Sequence, residues 1–176
     1  VRGMHLLEKA DVIIYAGSLV NPELLDYKKE SAVVYDSAKM TLEEVIEKIQ
    51  EAESAGKMTV RLHTGDPCVY GAIREQMDEL DKLNISYEVC PGVSSFCGAA
   101  SALNLEYTLP GISQSVIITR MAGRTPVPER ESIASFAAHH ATMVIFLSTG
   151  MLKKLSEEQI KGGYEADAPA AIVYKA

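Results

Sequence analysis

The sequence predicts two consecutive α/β domains with mainly parallel sheets, the second of them incomplete, and three observations lead there. Short runs rich in β-branched residues recur at 12–15, 32–35, 58–62, 87–89, 116–119, 143–147 and 170–174, with the length and composition of strands. Between most of them lie segments with apolar residues at helical spacing, and strands that alternate with helices build parallel sheets through crossovers. The alternation is interrupted over 104–115, an irregular stretch carrying Pro110-Gly111, and then restarts. A boundary near Gly111 follows, dividing the chain into 1–111 and 112–176.

Taken in order, the first element is a helix over 3–10, with Leu6, Leu7 and Ala10 on its apolar side. The clearest helix covers 41–55. Leu42, Val45, Ile46, Ile49 and Ala52 follow the helical period, Thr41 with Glu44 makes a capping-box pattern, and Gly56 stands at the C-terminal stop. Further helices are predicted at 72–83 (Ile73, Met77, Leu80), 95–103, 128–138 (Ile133, Phe136, Ala137) and 151–161. The chain opens inside a helix that should follow a strand and closes directly after a strand, and uncovered sheet edges favour self-association. A fragment is therefore expected, with the first strand and the remainder of the second domain absent.

Composition narrows the function. Of 176 residues, 47% are hydrophobic and 23% charged, the balance of an ordinary globular protein rather than a disordered one. The 17 basic and 24 acidic residues leave a net charge of -7, and no run of Lys or Arg supplies the concentrated positive charge that nucleic acid requires. No apolar stretch approaches the roughly 20 residues that span a bilayer, and the N-terminal residues lack a signal-peptide pattern. No membrane or nucleic-acid partner is expected, and the location expected is cytoplasmic. Cys68, Cys90 and Cys97 are an odd set that argues against a disulfide framework, and with His63 they match no paired-ligand zinc spacing, so no metal is expected. Adjacent His139 and His140 read as a solvated helix end.

In a parallel sheet, ligands bind where loops leave the carboxyl ends of strands. Those loops here are 16–18, 36–37, 63–71, 90–95, 120–128 and 148–150, and nearly all are small, polar and glycine-containing. Such an assortment, with backbone amides, hydroxyls and one carboxylate, suits a nucleoside-containing ligand. The loop His63-Thr64-Gly65-Asp66-Pro67-Cys68-Val69-Tyr70-Gly71 is the most informative. Gly65 permits a sharp turn and close backbone approach, and Asp66 offers a carboxylate. Two readings of Asp66 stay open, ligand contact and an ordinary Asx-type turn. Ser94 and Ser95 can equally serve as helix caps. Arg120 and Arg124 sit on a loop suited to a substrate with several carboxylates, or else pair with Glu129 and Glu131 as solvated residues. Phosphate-loop, nucleophile-elbow and dinucleotide glycine motifs are absent.

Several motifs together resemble one family, the tetrapyrrole methylases. They are Arg2-Gly3, Ala10-Asp11-Val12 leading to Tyr15-Ala16, Thr64-Gly65-Asp66-Pro67 with Tyr70-Gly71, and Val89-Cys90-Pro91-Gly92-Val93-Ser94-Ser95. Ser18-Leu19-Val20, the run 61–76, and Gln114 to Arg120 followed by Gly123 to Glu129 narrow the resemblance to members that methylate ring carbon 11 of precorrin-4 or cobalt-precorrin-4 in cobalamin synthesis. Other members, such as those methylating uroporphyrinogen III, and a binding-only fragment without turnover, remain the alternatives. The resemblance implies two α/β domains, S-adenosylmethionine as methyl donor, a tetrapyrrole substrate and a homodimer. Carried over by motif, the cofactor contacts are Thr64, Gly65, Asp66, Val69, Ser94 and Ser95, with Leu147 and Ala176 closing on the adenosine side. Arg120 and Arg124 are the expected holders of substrate carboxylates. No catalytic side chain is identified, because methyl transfer to an electron-rich ring carbon depends chiefly on alignment.

Overall fold

Strands β1 (Val12–Tyr15), β2 (Val33–Asp36) and β3 (Thr59–Leu62) pair in parallel in the order β2-β1-β3, so the first strand is the central one. This is a computed structural model, which describes residues 1–174. Ile14 lies opposite Tyr35 on one side and Arg61 on the other. Because β1 is covered on both faces, Val12, Ile13 and Ile14 are all buried, and the strand reads as a continuous apolar run rather than an alternation.

Helix α2 (Leu42–Ser54) covers one face, where Val45, Ile46, Ile49 and Ala52 pack with Val12, Ile14 and Leu80 of α3 (Ile73–Lys82). The opposite face is closed by α1 (Arg2–Lys9), whose Leu7 packs with Ala10 and Ile13 against Leu25, Val34, Val60 and Leu62. The local signals for α2 operate as expected. Thr41 Oγ1 accepts from Glu44 N–H while the Glu44 carboxylate accepts from Thr41 N–H, closing the capping box. Past the helix, Gly56 adopts φ +64° and Lys57 N–H reaches back to Ala52 O, a Schellman stop.

The described chain forms two compact units, Val1–Ser95 and the part from Phe96 onward. In the second, β4 (Val116–Arg120) and β5 (Thr142–Phe146) pair in parallel. Helix α4 (Ser95–Leu103), α5 (Ile133–Ala137) and α6 (Leu152–Lys161) complete it. By packing, the division precedes the 1–111 and 112–176 division expected from chain order. The reason is Tyr107, whose hydroxyl donates to Phe96 O and whose carbonyl accepts from the Thr142 hydroxyl of β5.

Three expectations change. Residues 87–89 and 170–174 form no strand: neither run joins a ladder among the described residues, and β-propensity becomes a strand only beside a pairing partner. Tyr87, Val89, Ile172 and Tyr174 are accordingly exposed. The helix expected over 128–138 is split into a 3₁₀ turn at Glu129–Glu131 and the short α5, because Ser132 takes an extended conformation and caps α5 by accepting from Ser135 N–H.

Candidate functional site

Two loops of the first unit meet backbone to backbone. One is the connection from β3 to α3, residues 63–72; the other is the approach to α4, residues 90–95. Gly65 takes φ +64°, a conformation that side-chain-bearing residues rarely adopt. A Cβ at Gly92 would lie 2.0 Å from the Gly65 carbonyl oxygen, so only glycine allows this approach. The same holds within the first loop, where a Cβ at Gly71 would fall 2.1 Å from Pro67 O. The closeness that the sequence attributes to a ligand is, at Gly65, also closeness to the second loop.

Asp66 joins the two loops. Its Oδ1 accepts from Cys68 N–H at 2.8 Å, an Asx turn, and its Oδ2 accepts from Gly92 N–H at 2.9 Å. Those two amide donors hold the carboxyl below the usual Asp range and keep it ionised. The Asx-turn reading thus holds, and Asp66 presents to its surroundings an anion already oriented by the backbone. Around it Thr64, Gly65 and Ser95 are exposed, Val69 is half-buried and Ser94 is buried. Val93, between the two glycine-adjacent segments, is 75% exposed, which places an aliphatic side chain on the rim of an otherwise polar surface.

Strain gathers on the first loop. Tyr70 and Ala72 have φ of 56° and 50°, the left-handed region that costs a non-glycine residue roughly 1–2 kcal/mol each. Behind the loop, Arg61 of β3 extends its guanidinium along the carboxyl ends of the strands. Nη1 donates to Ile14 O at 2.9 Å, Nη2 to Ser37 Oγ at 2.9 Å, and Nε to Gln76 Oε1 at 3.1 Å. Desolvation lowers its pKa. His63 follows two residues on, and burial together with the nearby guanidinium pushes its imidazole down to about 4. Neither residue was assigned a role in the site from the sequence, although His63 opens the most informative loop. The signal available was an arginine inside the run Thr59-Val60-Arg61-Leu62, a charge placed where a buried strand carries none.

In the second unit the loops after β4 and β5 are locked together by Ser148, which is 1% exposed. Its hydroxyl donates to Phe146 O at 2.7 Å and accepts from Met121 N–H at 3.0 Å. Between those anchors Leu147 is held at φ 54° and is 70% exposed. Arg120 is engaged within its own loop, donating to the carbonyls of Met121, Thr125 and Pro126. Arg124 is exposed, and Arg130 is the residue that reaches Glu131, at 3.8 Å. The expected contact Ala176 lies outside the described residues. His139 and His140 are exposed at the end of α5, as expected, with His140 stacked on Tyr164.

No helix among the described residues is long and apolar enough to cross a membrane. The family model described as Tetrapyrrole (Corrin/Porphyrin) Methylases matches residues 1–176. The chain is 53% identical over 176 residues to a cobalt-precorrin-4 C(11)-methyltransferase of Methanocaldococcus jannaschii, covering all of this chain and 68% of that protein. A solved cobalt precorrin-4 methyltransferase, described as a cobalamin biosynthetic enzyme, aligns with a TM-score of 0.90 at 45% identity, over 93% of this chain and 69% of that one. A uroporphyrin-III C-methyl transferase from Thermus thermophilus, complexed with S-adenyl homocysteine, aligns with a TM-score of 0.73 at 23% identity over 94% and 66% of the two chains, a likeness of fold.

Proposed function

Because this chain belongs to the tetrapyrrole (corrin/porphyrin) methylases, we propose that it transfers the methyl group of S-adenosylmethionine to ring carbon 11 of cobalt-precorrin-4 or precorrin-4, a step of cobalamin synthesis. The observation that carries this reading is identity of 53% over the whole chain to a cobalt-precorrin-4 C(11)-methyltransferase. The cobalt form is the substrate we favour, since the solved structure at 45% identity also acts on it by name. A cytoplasmic homodimer is the assembly that the family resemblance implies.

The paired loops fit such a donor. Gly65 and Gly92 leave the backbone uncovered by side chains, exposed Thr64 and Ser95 offer hydroxyls, and Asp66 is an oriented anion suited to a ligand carrying hydroxyl, amine and sulfonium groups. We assign Thr64, Gly65, Asp66, Val69, Ser94 and Ser95, all on the paired loops of the first unit, to the cofactor. When bound, the sulfonium supplies an electrophilic methyl group, which leaves sulfur as a carbon–carbon bond forms and yields S-adenosylhomocysteine. The chain's own contribution is to fix the donor's position, and orientation of two reactants is worth several orders of magnitude in rate. Asp66 keeps the two loops in register, and the αL residues Tyr70 and Ala72 fix the path of the first. Arg124, exposed and cationic, is the residue we assign to a substrate carboxylate, and Arg120 shapes the loop that presents it.

The test incubates the protein with S-adenosylmethionine and either metallated or metal-free precorrin-4, followed by mass spectrometry and location of the new methyl group. Methylation at carbon 11 of the cobalt form is the expected result. A methyl group at another ring carbon, or on uroporphyrinogen III alone, would move the chain to another branch of the family, and cofactor binding without transfer would leave it a binding module.

A further inference from the structure

We propose that Arg61 is a positioning residue for the cofactor loop, fastening the carboxyl ends of β1 and β3 to Ser37 and Gln76 and, through Gln76, holding Ala72 in its left-handed conformation. The geometry is a relay of hydrogen bonds. Arg61 Nη1 donates to Ile14 O at 2.9 Å, and Nη2 donates to Ser37 Oγ at 2.9 Å. Ser37 in turn donates to Tyr15 O at 3.0 Å, so the ends of β1 and β2 are drawn to the same guanidinium. Nε donates to Gln76 Oε1 at 3.1 Å, and the other half of that amide, Nε2, donates to Ala72 O at 3.1 Å. Ala72 is the last residue before α3, at φ 50°. A planar fork with fixed donor directions can serve all these acceptors at once, which an ammonium cannot.

The choice of a cation here is otherwise costly. Every one of those acceptors is neutral, and a half-buried charge without a counter-charge is less stable than an apolar side chain of similar size would be in a purely structural place. The ladder between β1 and β3 is complete without it. What Arg61 adds lies beyond the ladder: it governs where the chain goes after Leu62. On the alternation of a strand, Arg61 and His63 share one face, the face on which α3 contributes Gln76. The guanidinium therefore stands behind His63, and of the charged groups it is Arg61 that acts on the imidazole.

The inference rests on the cofactor reading above only for the identity of the ligand, and the experiment separates the two. Three variants are compared with the unaltered protein: Arg61→Lys keeps the charge and loses the fork, Arg61→Met loses both, and Gln76→Ala releases Ala72 alone. Binding of S-adenosylhomocysteine is followed by calorimetry, the His63 titration by NMR, and amide exchange at Val69, Gly92 and the β1–β3 ladder by mass spectrometry or NMR. Expected are a dissociation constant raised about tenfold or more in Arg61→Lys and a smaller rise in Gln76→Ala. Faster exchange at Val69 and Gly92 should accompany both while ladder protection is retained. His63 should titrate unchanged in Arg61→Lys and move upward in Arg61→Met. Arg61→Lys with unaltered affinity and loop exchange overturns the proposal. So does uniform loss of protection in the loop and the ladder, which means that Arg61 serves the fold at large. If the unaltered protein binds no S-adenosylhomocysteine, the cofactor reading fails, while the exchange pattern and the His63 titration still decide the role of Arg61.

Discussion

The carboxylate of Asp66 is bound to the amide of Gly92 at 2.9 Å, across 26 positions of sequence. Substituting Asp66 therefore acts on two loops. Asp66→Ala is expected to weaken S-adenosylhomocysteine binding about tenfold or more and to raise amide exchange at both Cys68 and Gly92. Asp66→Asn, which keeps one oxygen acceptor, should fall between. Calorimetry with exchange measurements checks this, and unchanged affinity in Asp66→Ala would remove the residue from the cofactor's surroundings.

Gly92→Ala places a methyl group 2.0 Å from Gly65 O, with rigid backbone on the other side. The loops must part. A destabilisation of about 1–3 kcal/mol is expected from such overpacking, together with lost cofactor affinity while the far-ultraviolet circular dichroism is kept. Denaturant titration and calorimetry measure the two effects, and an unaltered protein would mean that the loops separate freely.

The two arginines after β4 should behave differently. Arg124→Ala is expected to raise KM for the tetrapyrrole severalfold and leave the cofactor constant unchanged, and the effect should shrink at high salt because the charge is exposed. Arg120→Ala removes the donors to Met121, Thr125 and Pro126 carbonyls, so it should disturb the loop and lower kcat as well. Steady-state kinetics at two ionic strengths distinguish them. If Arg124→Ala leaves tetrapyrrole kinetics normal, the residue is a solvated cation.

Folding stability should depend on pH through His63. Its imidazole is depressed from 6.5 to about 4 in the folded chain. Below pH 6.5 the unfolded chain takes up a proton that the folded chain refuses until about pH 4, so stability falls as pH drops through that window and does not respond to this residue above it. Chemical denaturation from pH 7 to 4 on the protein and on His63→Gln measures the slope. The variant should show a shallower loss.

Helix α2 was fully legible in the sequence because its signals are local: the Thr41 and Glu44 cap, the apolar period and Gly56 all lie within one element. Strands β1 and β3 were legible as β-branched runs. The runs at 87–89 and 170–174 misled for the complementary reason, that a strand is a pairing and sequence displays one partner only. At the site, the glycines and Asp66 could be read as a ligand-binding turn, but not the grip of Asp66 on Gly92. Arg61 was hidden more deeply, since its acceptors Ile14, Ser37 and Gln76 stand 47, 24 and 15 positions away.

The Asp66 contact to Gly92 also works as a clasp around everything between them. Helix α3 and the strandless stretch that follows it form a closed excursion whose two ends are pinned at one point. The entropy of closing such a circuit grows only with the logarithm of its length. Residues 86–89 can thus lengthen, shorten or vary with little effect on where the two loops meet. In this arrangement the place where the two loops meet depends on the few atoms at the clasp and only weakly on the length of the circuit between them.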